Sequence, residues 1–366
     1  MNSLIVRYGE ITLKGRNRID FEKKLENDIR SFLKNQGLEG FSCELQRGRI
    51  YLRGLADTPD LGRVLGIHSF SPAREIGRDY ELLKEEALAA ASTWPAGASF
   101  RVSCRRMDKN FQPDSMAVER EIGALLAANH QLVVDLEQPD YNLQIEISGR
   151  SIFIFQEKIR AFSGFPYASA GRLVSLLSAG IDSPVATFLM MKRGVEPILL
   201  HFSISAEEAA KVEALKRHLE TFTSGRRLTL ITIPRDEIFA GRFSDIYNGP
   251  LQNYLCLICK YLMHRRAGEI ARQYGALGVI TGDNLAQVAS QTLANLAAQR
   301  SACQLPVYSP LIGWEKEDTI ALARRIGTYE LSIIKAPGCL PPVNPKTRVS
   351  PERLQQVLVR AGFLPG

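Results

Sequence analysis

The chain has 366 residues, 45% hydrophobic and 23% charged, and its 46 basic residues exceed its 39 acidic ones to leave a net charge of +7. That length is too great for one small core, and that composition excludes a disordered or collagen-like chain, so two or three globular domains are expected. No apolar run approaches the roughly 18 residues that span a bilayer and no signal-peptide pattern opens the chain, so a cytoplasmic protein without membrane association is expected.

SLIVRYGEI reads as a strand, and the basic stretch after it carries Ile19, Phe21, Leu25, Ile29 and Phe32 at helical spacing. CELQRGRIYLRGL predicts a hairpin, and DTPDLGRVLGIHSFSPAREI a short helix leading into a strand. Residues 1–75 are therefore expected to form a small α+β domain. The mixture repeats over 76–160, with a helix at 80–93, the strand SFRVSCRR, a helix in PDSMAVEREIGALLAAN, and the pair YNLQIEISG and RSIFIFQEKI joined by an SGRS turn. Arg101, Arg105, Arg106 and Lys109 offer cations for phosphates, and Phe111 a ring for a base; Lys14, Arg16 and Arg18 add a second basic run. A charge run is equally the mark of a solvated face.

RAFSGFPYASAGR supplies an expected linker at 161–172. From 173 to 366 the strands LVSLL, PILLHFSI, RLTLITI and LGVITG alternate with helical stretches, the pattern of a parallel α/β sheet covered on both faces. In such a sheet the turn after the first strand delivers backbone N–H groups at a helix N-terminus. Ser178, Ala179, Gly180, Ile181, Asp182 and Ser183 form that turn, with hydroxyls on Ser178 and Ser183 for phosphate oxygens. Gly180 there allows an unusual dihedral or close approach of an anion, and Pro184 suits a first helical turn. Neither G-x-x-x-x-G-K-[ST] nor G-x-G-x-x-G occurs at this turn.

SAGIDS instead resembles the SGGxDS loop of the PP-loop ATP pyrophosphatases. RYGEITLKGRNRIDFEKKL, RRMDKNF, LLSAGIDSPVATFLMMKRG and TGDNLAQVASQTLANL, in that order, resemble the tRNA 4-thiouridine synthetases, the thiamine-biosynthesis sulfurtransferases. The resemblance implies ferredoxin-like and THUMP domains followed by a PP-loop (HUP-like) domain. It also implies ATP and Mg²⁺ as cofactors, tRNA and a second copy of the chain as partners, and 4-thiouridine at position eight as product. Asp182 would act in catalysis with Lys316, in GWEKEDTIALARRIG; His201, Asp283, Gln287, Ser290 and Gln291 would border the nucleotide. Two departures stand out in the nucleotide half. Ala179 replaces the usual first Gly and requires a backbone that alanine can adopt. Asp283 stands where the family has Glu. The linker departs as well, carrying Ala161, Phe165, Tyr167 and Ala168 in place of a glycine-rich run.

Six cysteines are too few for a disulfide framework. Cys256 and Cys259 form C-x-x-C on a helical stretch, their spacing placing both thiols on one face. Zinc with Cys303 or His264, a redox pair and an iron–sulfur cluster all remain open. The resemblance extends to synthetases that add a distal cysteine, here Cys339, which implies a three-cysteine cluster with one iron open to sulfur, or persulfide chemistry on Cys339. With no rhodanese domain before Gly366, sulfide or a cysteine desulfurase is the expected sulfur donor. A silent or redirected tRNA-binding paralogue and an amidating PP-loop enzyme are the competing functions.

Overall fold

The computed structural model describes residues 2–46, 48–340 and 342–365; Arg47, in the turn of the expected hairpin, lies outside them. The chain divides into two compact units between Ser163 and Gly164.

The first unit runs β1 (Asn2–Tyr8), α1 (Arg18–Asn35), β2 (Ser42–Gln46), β3 (Arg49–Arg53), β4 (Ile67–Ile76), α2 (Tyr80–Ala91), β5 (Ser99–Arg106), α3 (Ser115–Asn129), β6 (Val133–Val134), β7 (Tyr141–Ile147), β8 (Ile152–Phe155) and β9 (Ile159–Arg160). Leu25, Ile29 and Phe32 are buried as their spacing predicts, whereas Ile19 faces solvent at the helix start. Asp79 and Asp114 accept hydrogen bonds from the first-turn N–H groups of α2 and α3, which fixes where those helices begin.

All nine strands join one sheet in the order β2-β3-β1-β4-β8-β7-β5-β6, with β9 beside β4. The sequence suggests two separate α+β segments; the long β4 fuses them by pairing with β1 along most of its length and with β8 at its end. The pleat then sorts the side chains. Ile145, Ile147, Ile152 and Ile154 pack with Leu83, Val118 and Ile122 of α2 and α3. Ile5, Tyr51, Phe153 and Phe155 form a small cluster on the opposite face.

The second unit continues with β10 (Arg172–Leu176), α4 (Asp182–Lys192), β11 (Glu196–Ser203), α5 (Ala206–Glu220), β12 (Leu230–Pro234), α6 (Arg235–Ile238), α7 (Phe243–Asn248), α8 (Leu255–Gln273), β13 (Val279–Ile280), α9 (Leu293–Arg300), β14 (Val307–Tyr308), α10 (Lys316–Ile326), α11 (Tyr329–Ile333) and α12 (Pro351–Arg360). Its five strands are parallel in the order β12-β11-β10-β13-β14. Chain direction across the sheet reverses between β10 and β13, the place where such sheets open a crevice for ligands. Among the described residues no helix is long and apolar enough to cross a membrane.

The aromatic residues of the expected linker have a packing reason. Phe165 and Tyr167 are buried, the Phe165 N–H donates to Lys192 O at 2.9 Å, and Arg193 lies over the Phe165 ring. Gly164 holds φ +88°, and Lys192 O occupies the space a Cβ would need, so this close approach to the end of α4 requires glycine.

Candidate active site

The turn after β10 is braced from within. Ser178 N–H donates to Ser183 Oγ at 2.8 Å, and Ser183 Oγ donates to Ser178 O at 3.2 Å. Thr187 Oγ1 donates to Ser183 O at 2.7 Å and lies 2.7 Å from Ser175 Oγ, tying helix to strand. Ile181 is the N-cap of α4, and no side chain caps the first N–H groups of this helix. Pro184 falls in the first turn, where its missing N–H is harmless. Neither Ala179 nor Gly180 has a positive φ. Alanine therefore fits position 179 without strain. The unusual dihedral expected of Gly180 is not used, and a Cβ there would meet only Ser178 Oγ at an ordinary contact distance of 3.6 Å, so neither backbone nor space within the protein requires glycine at this position.

Asp182 opens α4 and accepts a hydrogen bond of 2.6 Å from Lys316 Nζ, the first residue of α10. Across the β10–β13 crevice lies a cleft of about 230 Å³ lined by Ser178, Gly180, Asp182, Lys260, His264 and Asp283. Gly282 makes the narrow approach possible, because a Cβ there would stand 2.8 Å from Ser183 N.

Asp283 is the electrostatic centre of the far wall. Lys260 Nζ donates to it at 2.9 Å, Thr281 Oγ1 at 2.8 Å, Arg300 at 3.3 Å and Gln291 at 3.4 Å. Burial pushes this carboxyl up, but the charge and hydrogen bond of Lys260, with Thr281, outweigh burial and hold it well below the usual carboxylate range. His264 is 3% exposed, and burial lowers it to about 4, so its imidazole is neutral at pH 7. Lys260 escapes a motif search and His264 enters it only as a zinc partner, yet Cys256, Lys260 and His264 recur every four residues on α8, a stripe that the sequence did contain.

The other expected nucleotide residues separate. Gln291 is buried and lines the cleft, Ser290 is buried outside its lining, and Gln287 is exposed and outside it as well. His201 is buried at the end of β11, its Nδ1 donating to Leu177 O at 3.0 Å, and ties that strand to the turn.

Cys256 and Cys259 open α8, and Cys339 is exposed beyond α11. Burial raises both helix thiols, Cys259 to about 12, and the charge of Cys339 raises both further. The three sulfurs are thus electrostatic neighbours, with the cations Lys260 and Arg235 near Cys259. Cys303 is elsewhere: its Sγ packs against Gly268, more than two turns along α8 from Cys259. Among the described residues no three His, Cys, Asp or Glu side chains gather around one point suited to a single metal ion.

In the first unit the expected RNA-facing set does not hold together. Phe111 is 6% exposed inside the α2–α3 core with Arg78 over its ring, so it offers no face to a base, which corrects the stacking role expected of it. Arg101 donates to Leu136 O, and Arg106 to the carbonyls of Lys109 and Phe111, so both shape backbone. Arg105 and Lys109 remain exposed. Strand register gathers a different set. Arg7 pairs with Ser69 and Ser69 with Arg160, while Arg105 pairs with Glu146, all on the face that carries Tyr51 and Phe153. Arg49 binds Glu146 through two contacts of 2.8 and 2.9 Å, and Arg7 lies 3.9 Å from the same carboxylate. Lys158 is lowered by burial and then by Arg7, Arg49, Arg160 and Arg105, so these cations act on one another across this face.

Family models match the chain in three consecutive stretches: a ThiI ferredoxin-like domain over 3–71, a THUMP domain over 78–157 and the thiamine biosynthesis protein ThiI over 168–360. A probable tRNA sulfurtransferase of Thermococcus kodakarensis is 38% identical over 91% of this chain and 90% of its own. One of Natranaerobius thermophilus is 37% identical over 99% of this chain and 92% of its own. The crystal structure of a 4-thiouridine synthetase–RNA complex with bound ATP superimposes with a TM-score of 0.87 at 32% identity, covering 100% of this chain and 96% of that one. The chain belongs to the thiamine biosynthesis protein (ThiI) family of tRNA sulfurtransferases.

Proposed function

We propose that the protein adenylates a tRNA uridine, at position eight, and replaces its O4 with sulfur to give 4-thiouridine. The observation that carries this reading is the Asp182–Lys316 pair at the PP-loop, facing Lys260 and Asp283 across the strand switch point. That arrangement lies in a chain resembling, over its full length, a synthetase with ATP and RNA bound.

In the first step O4 of the uridine attacks the α-phosphorus of ATP, N3 gives up its proton and pyrophosphate leaves. The open N-terminus of α4 and Lys316 are placed to offset the charge on the departing phosphates, and Asp182 is the carboxylate for Mg²⁺. In the second step a hydrosulfide adds at C4, its proton passes to N3 and AMP departs with O4.

Cys256, Cys259 and Cys339 fit a cluster better than lone zinc, because cluster cysteines each bind a different iron and need not converge on one point. Held by the three thiolates, such a cluster would supply an iron open to external sulfide. Lys260 and Arg235 would favour the thiolate forms. Sulfide or a cysteine desulfurase is the proposed donor, and the cytoplasm the proposed setting.

The exposed cations Arg105, Lys158 and Arg160, backed by Arg7 and Arg49, are the proposed tRNA phosphate contacts in the first unit. A catalytically silent paralogue is disfavoured by the ordinary backbone at Ala179. The test is conversion of ATP to AMP and pyrophosphate with and without unmodified tRNA. AMP release that depends on tRNA is expected; tRNA binding without any AMP release contradicts the reading.

A further inference from the structure

The segment carrying Cys339 begins where α11 ends, and the side chain that holds this point belongs to α5. Lys211 Nζ donates to Ser332 O at 2.7 Å and to Ile334 O at 2.8 Å, just before the irregular run 335–340. Ser332 Oγ in turn donates to Gly180 O of the PP-loop at 3.4 Å. Ile333 and Ile334 are 48% and 54% exposed, so apolar packing does not anchor this turn. Polar contacts do.

Lys211 also has a neighbour on the side of the strand that opens the PP-loop. Glu208, whose charge acts on Lys211, accepts the Ile204 N–H at 3.0 Å and lies 3.7 Å from His201 Nε2. His201 binds Leu177 O, at the strand end that opens the PP-loop. A line of polar groups therefore runs from that strand end, through His201, Glu208 and Lys211, to the carbonyls at which the cysteine segment starts.

We propose that Lys211 is a positioning residue that sets the start of the Cys339 segment against the PP-loop and so couples adenylation to sulfur transfer. The inference rests on the function proposed above. Lys211 is not a catalytic residue, since its ammonium is spent on two main-chain carbonyls.

The test is the ratio of 4-thiouridine formed to AMP released, measured with tRNA, MgATP and sulfide for wild type, Lys211→Met and Lys211→Arg. Small misplacements of reacting groups cost rates of order 10- to 100-fold, so Lys211→Met should lower the ratio about tenfold or more while KM for ATP stays within about twofold. Lys211→Arg, which keeps donors at the carbonyls, should restore most of it. An unchanged ratio in folded Lys211→Met overturns the proposal, as does an equal fall in AMP and thiouridine, which would make Lys211 merely structural. If Lys211→Met does not fold, Lys211→Gln takes its place: a lowered ratio supports the proposal and an unchanged one overturns it. Wild-type protein that releases no AMP with tRNA would instead remove the function on which the inference stands.

Discussion

Asp182 and Lys316 are 134 residues apart in sequence and 2.6 Å apart at one strand end, whereas Arg101, Arg105, Arg106, Lys109 and Phe111 are neighbours in sequence that part ways in the first unit. The contrast lies in what gathers each site. In the second unit a parallel sheet delivers every strand end to one edge, so residues from the ends of β10 and β13 and the starts of α4 and α10 meet there. In the first unit the strand pleat sends neighbours to opposite faces, and a surface is assembled across strands by register. Nearness in sequence is thus a poor guide to a shared surface on a sheet, and distance a poor objection at a strand-end crevice.

The strongest way to break the contrast is Asp182→Ala. Loss of the carboxylate proposed to hold Mg²⁺ at the phosphates should lower thiolation by about 10³ or more, with tRNA affinity within about twofold, because the proposed tRNA contacts lie in the first unit. A matching loss of tRNA binding in a filter or gel assay would merge the two regions.

Lys260→Met comes next. Because the Asp283 carboxyl is depressed in the folded protein, it adds stability above the ordinary carboxylate range, about pH 4, and loses it as pH falls toward its lowered folded value. Removing the nearer cation leaves the buried carboxylate to the longer Arg300 contact and to neutral donors, so the variant should lose about 2 kcal/mol at pH 7 and begin acid unfolding at higher pH. Urea titrations across pH would show whether Lys260 has this role.

A paired substitution separates the core from the surface in the first unit. Phe111→Ala should cost about 3 kcal/mol of stability without changing tRNA affinity in the protein that remains folded. Arg160→Ala should leave stability alone, weaken tRNA binding and reduce the log-salt slope by about one. The opposite pattern would return base stacking to Phe111. The smallest effect is expected for Ala179→Gly: turnover within about twofold, since alanine is unstrained there and the change is worth less than about 1 kcal/mol.

Much of the second unit could be read from its sequence. LVSLL, PILLHF and LGVITG are apolar runs of strand length, and SAGIDS is a contiguous loop whose chemistry is local. β14 is not legible, since Val307 and Tyr308 pair with β13 but carry no pattern of their own. Lys260 looks like an ordinary helix cation until Asp283, 23 residues later, supplies its partner. The fusion of two α+β segments into one sheet depends on which strand β4 meets at its end. Phe111 is the instructive miss: an aromatic beside arginines reads as a base-stacking site, but the chain after β5 folds it inward beneath α3 and Arg78.

The central claim is that a PP-loop adenylating site and a three-cysteine group act on one uridine. The most direct measurement is 4-thiouridine formation by anaerobically purified protein given unmodified tRNA, MgATP and sulfide, with iron content determined on the same sample and on Cys256→Ala. The account predicts thiouridine and bound iron in the wild type and the loss of both in the variant. Full thiolation by iron-free Cys256→Ala, or none by folded, tRNA-binding wild type, would contradict it.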